Sequence, residues 1–119
     1  MKDTLDYVKI IENSIDDKKG YDTVTLNVSE QTSIADYFII TSADSSTQVS
    51  AIADEINRKM DEEGLKQINR SGYQSARWVL LDYGNIIVHI FHKEERQYYD
   101  LERLWEQVEE NFDNKSGDD

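Results

Sequence analysis

The sequence predicts a single α/β domain built on a mixed β-sheet with flanking helices, in the order α-β-β-α-(β)-β-β-α. Three observations carry this prediction. Apolar residues recur at helical spacing in separate stretches near the start, middle and end of the chain. Between them, Thr23–Val28 alternates apolar with polar, while Asp36–Ser42 is apolar on both parities. Finally, Trp78–Tyr83 and Ile86–His92 flank Gly84-Asn85, a two-residue signal for a tight β-hairpin.

Residues 4–18 form the first predicted helix. Leu5, Val8, Ile11 and Ile15 line one face, and Tyr7 and Ile10 widen it. Asp3 is placed to cap its free N–H groups, and Lys18-Lys19-Gly20 is a fitting stop, with Gly20 free to take positive φ. In the first strand Val24, Leu26 and Val28 point one way and Thr23, Thr25 and Asn27 the other, which predicts one wet or lightly covered face. The Tyr37-Phe38-Ile39-Ile40 run places the second strand inside the sheet.

Ser45 and Gln48 have capping-box spacing before a second helix whose stripe is Val49, Ile52, Ala53, Ile56 and Met60, and Gly64 ends it. Leu65–Ile68 reads as a short strand and Asn69–Gly72 as a turn. The hairpin follows. Beyond it, residues 94–99 suit a helical turn, and a last helix begins at Asp100 with Leu101, Leu104, Trp105, Val108 and Phe112 on one face. The domain is expected to span residues 1–112, with 113–119 a disordered acidic tail.

Counting outward from Gly84-Asn85 sets the hairpin register. Tyr83 meets Ile86, Leu81 meets Val88 and Val79 meets Ile90, so an entirely apolar face turns to the core. On the other face Asp82 opposes Ile87, Leu80 opposes His89 and Trp78 opposes Phe91. This mixed face could pack beneath a helix or could be a working surface.

Composition narrows the function. The formal net charge is −12, which disfavours a generic nucleic-acid binder because phosphate would repel it. Residues 94–119 hold ten acids and three bases, which could steer the chain toward a basic partner. The absence of cysteine excludes disulfides and thiolate chemistry. No apolar run reaches the roughly 20 residues that span a bilayer, and the acids in MKDTLDYVKI argue against a targeting peptide. A cytoplasmic protein without membrane contact is the expectation.

Nucleotidyl transfer is the best enzymatic alternative, because a strand, a serine-rich loop and a helix follow one another. That chemistry needs a Gly-Ser loop and two carboxylates at alternate strand positions to hold metal. The chain has no Gly-Ser dipeptide, and Asp36 and Asp82 stand alone on their strands. His89 and His92 are three apart on a strand and face opposite sides, which makes a poor metal pair. No enzyme activity, cofactor or metal is therefore expected. Binding accounts for the residues better, since interface hot spots favour Trp, Tyr and Arg. Tyr73, Arg77, Trp78, Tyr83, Tyr98, Tyr99 and Trp105 are concentrated in one region, and Trp78 is the best exposed anchor among them.

The stretches TSIADYFIITSADSSTQVSAIADEI (Thr32–Ile56) and GYQSARWVLLDYGNIIVHIFHKEERQYYDLERLW (Gly72–Trp105) resemble the ribosomal silencing factor, or Iojap-like, family. RWVLLDYG followed by VHIFH and YYDLERLW is the specific part, while Ala43-Asp44 stands where relatives often have glycine. The resemblance implies a fold like that of nucleotidyltransferases without their catalytic residues. It implies binding to the large ribosomal subunit through the ribosomal protein numbered fourteen, near the intersubunit face, with little direct nucleic-acid contact. Bound there, such a protein hinders subunit joining and represses translation when nutrients are scarce. An alternative role, in assembly of the large subunit, would use the same surface. Trp78, Asp82, Tyr83, His89, Tyr98, Tyr99, Asp100 and Leu101 are the expected partner-binding residues. Tyr83 has core-facing parity but sits at the turn, where it could still be exposed. Edge strands and the mixed face could also support a homodimer that dissociates on docking.

Overall fold

Helix α1 (Thr4–Asp17) opens the chain because Asp3 and Asp6 close a reciprocal cap, each carboxylate accepting from the other's backbone N–H at 3.0 Å. The computed structural model describes residues 2–72 and 76–99, with side chains up to Arg96. Within these residues the order is α1, β1 (Tyr21–Asn27), β2 (Tyr37–Ala43), α2 (Ser46–Glu62), β3 (Asn69–Ser71), β4 (Trp78–Asp82), β5 (Ile86–His92) and α3 (Lys93–Tyr99). They form one α/β domain. The five strands lie in the order β1-β2-β5-β4-β3; β2 and β5 run parallel and every other neighbouring pair antiparallel. The expected last helix from Asp100 and the tail 113–119 lie outside the described residues.

Both helices α1 and α2 cover one face of the sheet. Val8, Ile11 and Ile15 of α1 and Val49, Ile52, Ala53, Ile56 and Met60 of α2 pack on Ile39, Val79, Leu81, Val88 and Ile90. Gln48 joins the two helices. Its Oε1 accepts from the Asp44 N–H, and its Nε2 donates to the carbonyls of Lys18 and Lys19 at 3.1 and 2.9 Å. Ser45 Oγ accepts from the Gln48 N–H as the capping spacing predicts, but the amide oxygen accepts from the Asp44 N–H rather than that of Ser45, while Nε2 is held by the carbonyls at the end of α1.

Two expectations change. At the end of α1 the positive φ falls on Lys19 (65°) and not on Gly20. Gly20 is needed for close approach, since a Cβ there would lie 2.5 Å from Ile15 Cγ2. The short strand predicted at 65–68 is instead β3 at Asn69–Ser71, pairing Asn69 with Asp82 and Ser71 with Leu80. Edge pairing uses backbone groups on one side only, so polar Asn-Arg-Ser serves where an apolar pattern would not be needed. The threonine side of β1, read as wet or lightly covered, is the side toward α1. Thr25 Oγ1 donates to Glu12 Oε2 at 2.6 Å, and Thr23 and Thr41 share a hydroxyl hydrogen bond at 2.9 Å. The apolar side of β1 therefore joins the opposite face, where Leu26 and Val28 cluster with Ala35, Phe38 and Ile87.

The hairpin register is as counted: Val79 pairs with Ile90, Leu81 with Val88, Trp78 with Phe91, Leu80 with His89 and Asp82 with Ile87. Gly84 has φ +90° and the Tyr83 N–H donates to the Ile86 carbonyl at 2.9 Å, the geometry of a turn with glycine at its first central position. Gly84→Ala is expected to lower stability by about 1.5 kcal/mol, because a side chain at that φ is strained and its Cβ would lie 3.3 Å from Ile68 Cδ1. Urea unfolding of the variant against the parent would measure the loss.

Candidate aromatic docking surface

The alternation of β4 and β5 sends Trp78, Leu80, Asp82, Ile87, His89 and Phe91 to the face opposite α1 and α2. Pairing of β2 with β5 sets Phe38, Ile40 and Ser42 beside Ile87, His89 and Phe91 on that same face. The mixed hairpin face is thus one side of a broad apolar layer. Phe91 is fully buried and stacks on its register partner Trp78 at 4.8 Å between ring centroids. Trp78, Leu80 and Asp82 are half-buried and form the accessible margin.

His89 lies inside this layer. Phe38 meets it edge-on at 5.0 Å, and Phe91 lies nearly parallel to it at 6.3 Å. The indole Nε1–H of Trp78 donates to His89 Nδ1 at 3.1 Å, across the diagonal of the hairpin. The imidazole is therefore an acceptor at Nδ1, and in its neutral form the proton sits on Nε2.

Burial pushes the His89 pKa down from 6.5 to about 4. The unfolded chain takes up this proton near pH 6.5, while the native state refuses it until about pH 4. Stability from this group is therefore full above pH 6.5 and falls as the pH drops toward 4, by about 3 kcal/mol in all. Urea unfolding at a series of pH values should show that slope, and His89→Phe should remove it; an equal slope in the variant would assign the proton uptake to another group.

Two features hold the start of β4. Arg77 donates from Nε to Glu95 at 2.8 Å and from Nη2 to Glu94 at 3.1 Å, joining β4 to α3, while Arg96 of α3 donates to Ser42 Oγ at 2.9 Å. Gly72 passes over the backbone of Trp78. Its φ is +79°, and a Cβ there would stand 2.0 Å from the Trp78 carbonyl oxygen. Only glycine allows that approach.

The expected partner-binding residues separate into three groups. Trp78 and Asp82 stand on the accessible margin, although the Asp82 carboxylate is already turned to the Gly84 N–H at 2.8 Å. Tyr83 and His89 are each 5% exposed, which corrects the expectation that Tyr83 reaches solvent at the turn and that His89 lies open on the mixed face. Tyr83 is drawn inward because its ring joins the helix-side core while its hydroxyl donates to Asn57 Oδ1 at 3.3 Å and accepts from Gln67 Nε2 at 3.2 Å. Burial raises its pKa above the ordinary phenol value. His89 is buried because β2 and β4 bring aromatic rings to both sides of it. Tyr98 and Tyr99 are in α3 but their side chains, like Asp100 and Leu101, lie outside the described residues.

Pattern reading did not assign Phe38 or Gly72 to this surface. Phe38 needed the parallel β2–β5 register, and no local signal in the chain carries that pairing. Gly72 falls in the stretch read as a turn, and no local signal ties it to Trp78 six residues on. Among the described residues, no three metal-ligating side chains converge, and no helix is long and apolar enough to cross a membrane.

The class these features define is a small α/β domain with α1 and α2 on one face of a mixed sheet and an aromatic layer on the other, which α3 joins through Arg96 and Ser42. A family model described as ribosomal silencing factor during starvation matches residues 1–118. The chain is 45% identical over 98 residues to the ribosomal silencing factor RsfS of Halalkalibacterium halodurans, covering 82% of this chain and 84% of that one. It is also 45% identical over 98 residues to RsfS of Bacillus subtilis, with coverages of 82% and 83%. A crystal structure of a Chromobacterium violaceum protein superposes with a TM-score of 0.85 at 34% identity over 87% of each chain. A Bacillus halodurans structure reaches 0.79 at 41% identity, covering 86% of this chain and 95% of that one. The chain belongs to the ribosomal silencing factor family.

Proposed function

We propose that this protein represses translation in the cytoplasm under nutrient limitation by binding the large ribosomal subunit and sterically blocking association with the small one. The docking partner is the large-subunit protein numbered fourteen, near the intersubunit face, with little direct contact to RNA. The observation that carries this reading is the half-buried indole of Trp78, backed by Phe91 and His89, at the margin of the sheet face that α1 and α2 leave free. Large aromatics in such positions supply interface hot spots. The charge of −12 agrees with a basic protein as the contact, because it sets the chain against bare RNA phosphate. Charge alone does not dock an acidic protein in the field of the ribosome, since that field is screened within about 8 Å at physiological salt. A short-range apolar patch supplies the rest. No bond is made or broken in this mechanism; occupancy of the site is the whole effect.

Two measurements test it. Purified protein sedimented with separated subunits should comigrate with the large one alone, and it should slow subunit joining followed by light scattering. Comigration with neither subunit would sink the proposal. Precursor large subunits accumulating in a deletion strain, with joining unaffected, would replace silencing by an assembly role. In the free state the protein is proposed to form a homodimer that dissociates on docking, and a monomer mass at every concentration would remove that element.

A further inference from the structure

We infer that His89 is the positioning residue of the docking face: its Nδ1 holds the indole N–H of Trp78 and so fixes the pose in which Trp78 meets the partner. This role rests on the reading that the Trp78 face docks. His89 is 5% exposed, and its Nε2 has no hydrogen-bond partner. The bond from Trp78 Nε1 at 3.1 Å makes Nδ1 the acceptor, so the unpartnered Nε2 is a buried N–H donor. Folded proteins seldom leave such a donor unmade, and each instance calls for a reason.

Packing is not the reason. His89 sits against Phe38 and Phe91, where a phenylalanine would fill the space without an orphaned polar atom. The stability of the fold is not the reason either, because the buried imidazole is neutral and its outer nitrogen contributes nothing. Among the described residues, the one polar contact of the His89 imidazole is the bond from Trp78. The chain therefore carries an unfavourable buried group at the centre of the sheet for the sake of one acceptor directed at one indole. Phe38 edge-on and Phe91 nearly parallel hold the imidazole plane, so the acceptor direction is fixed. The indole then keeps one edge anchored inward and one face stacked on Phe91 at 4.8 Å, and the half-buried ring is set in that pose. An indole without that acceptor would turn its N–H toward water and present a different outline. Pre-setting an aromatic anchor in this way reduces the ordering cost of binding.

The test uses the full-length protein with His89→Phe, His89→Asn and His89→Gln. Asparagine can place an oxygen near the position of Nδ1; glutamine places its amide nearer Nε2. The readouts are the Trp78 indole N–H resonance, assigned with Trp78→Phe, and cosedimentation with separated large subunits. In His89→Phe, circular dichroism should be unchanged, the indole proton should exchange at least tenfold faster, and large-subunit binding should weaken about tenfold. His89→Asn should recover more of both than His89→Gln. An unchanged indole proton in His89→Phe overturns the positioning role, as does parental binding by a variant whose indole has come loose. If His89→Phe fails to fold, the contrast between the asparagine and glutamine variants decides, and equal behaviour of the two overturns the inference. Failure of the parent protein itself to bind the large subunit is a separate result. It overturns the docking reading and the role His89 takes in it.

Discussion

Trp78→Ala should weaken binding to the large ribosomal subunit about 30-fold, corresponding to about 2 kcal/mol for a central aromatic anchor. The indole contributes area at the accessible margin of the sheet and is held from behind by Phe91 and His89. Removing it takes away the anchor and leaves an acceptor on His89 without its donor. The secondary structure should remain, because Trp78 is only half-buried and its backbone stays paired with Phe91 in the ladder. Cosedimentation at two salt concentrations, with circular dichroism of the same samples, measures both. Leu5→Ala is the control: Leu5 is 52% exposed on α1, on the other side of the sheet, and its loss should leave binding as it was. Parental affinity in Trp78→Ala would move the docking surface elsewhere. A collapse of the circular dichroism signal would make Trp78 part of the core.

Phe91→Ala should cost about 4 kcal/mol of stability, the range found when a large buried ring is deleted and the cavity only partly closes. Phe91 is fully buried on β5, with β2 on one side and β4 on the other. Its ring stacks on Trp78 and lies beside His89. The second face of the sheet is therefore a core in its own right, separate from the one beneath α1 and α2. Chemical denaturation followed by far-ultraviolet circular dichroism would give the loss directly. A change below about 1 kcal/mol would mean that the site collapses with little penalty and that this layer contributes little to the fold. The two predictions separate surface from core within one stacked pair: Trp78 should matter mainly to binding and Phe91 mainly to folding.

Much of this architecture was legible before any tertiary contact was known. Gly84-Asn85 between two apolar runs sets the register of β4 and β5, because a two-residue turn leaves a single way to count outward. The stripes of α1 and α2, the Ser45 cap and the stop at Gly64 follow from helical period and end chemistry. The interior place of β2 follows from its apolar character on both parities. These are properties of neighbouring residues, and local sterics and hydrogen bonding are enough to specify them.

Other features depend on which segments meet across the sequence. Thr25 turns toward the helices because Glu12 of α1 offers it an acceptor, so the apolar side of β1 goes to the other face. Gly20 is required by Ile15 and Thr41, while Lys19 takes the positive φ. Tyr83 leaves solvent for Asn57 and Gln67, and His89 disappears between rings supplied by three strands. By itself the sequence determined the fold class, the hairpin and the two faces of that hairpin. Only the tertiary structure decided which of the mixed-face residues is buried and which is available to a partner. Periodicity reports the side of a strand on which a residue stands; burial depends on the strands beside it, and here those come from residues far away in the chain.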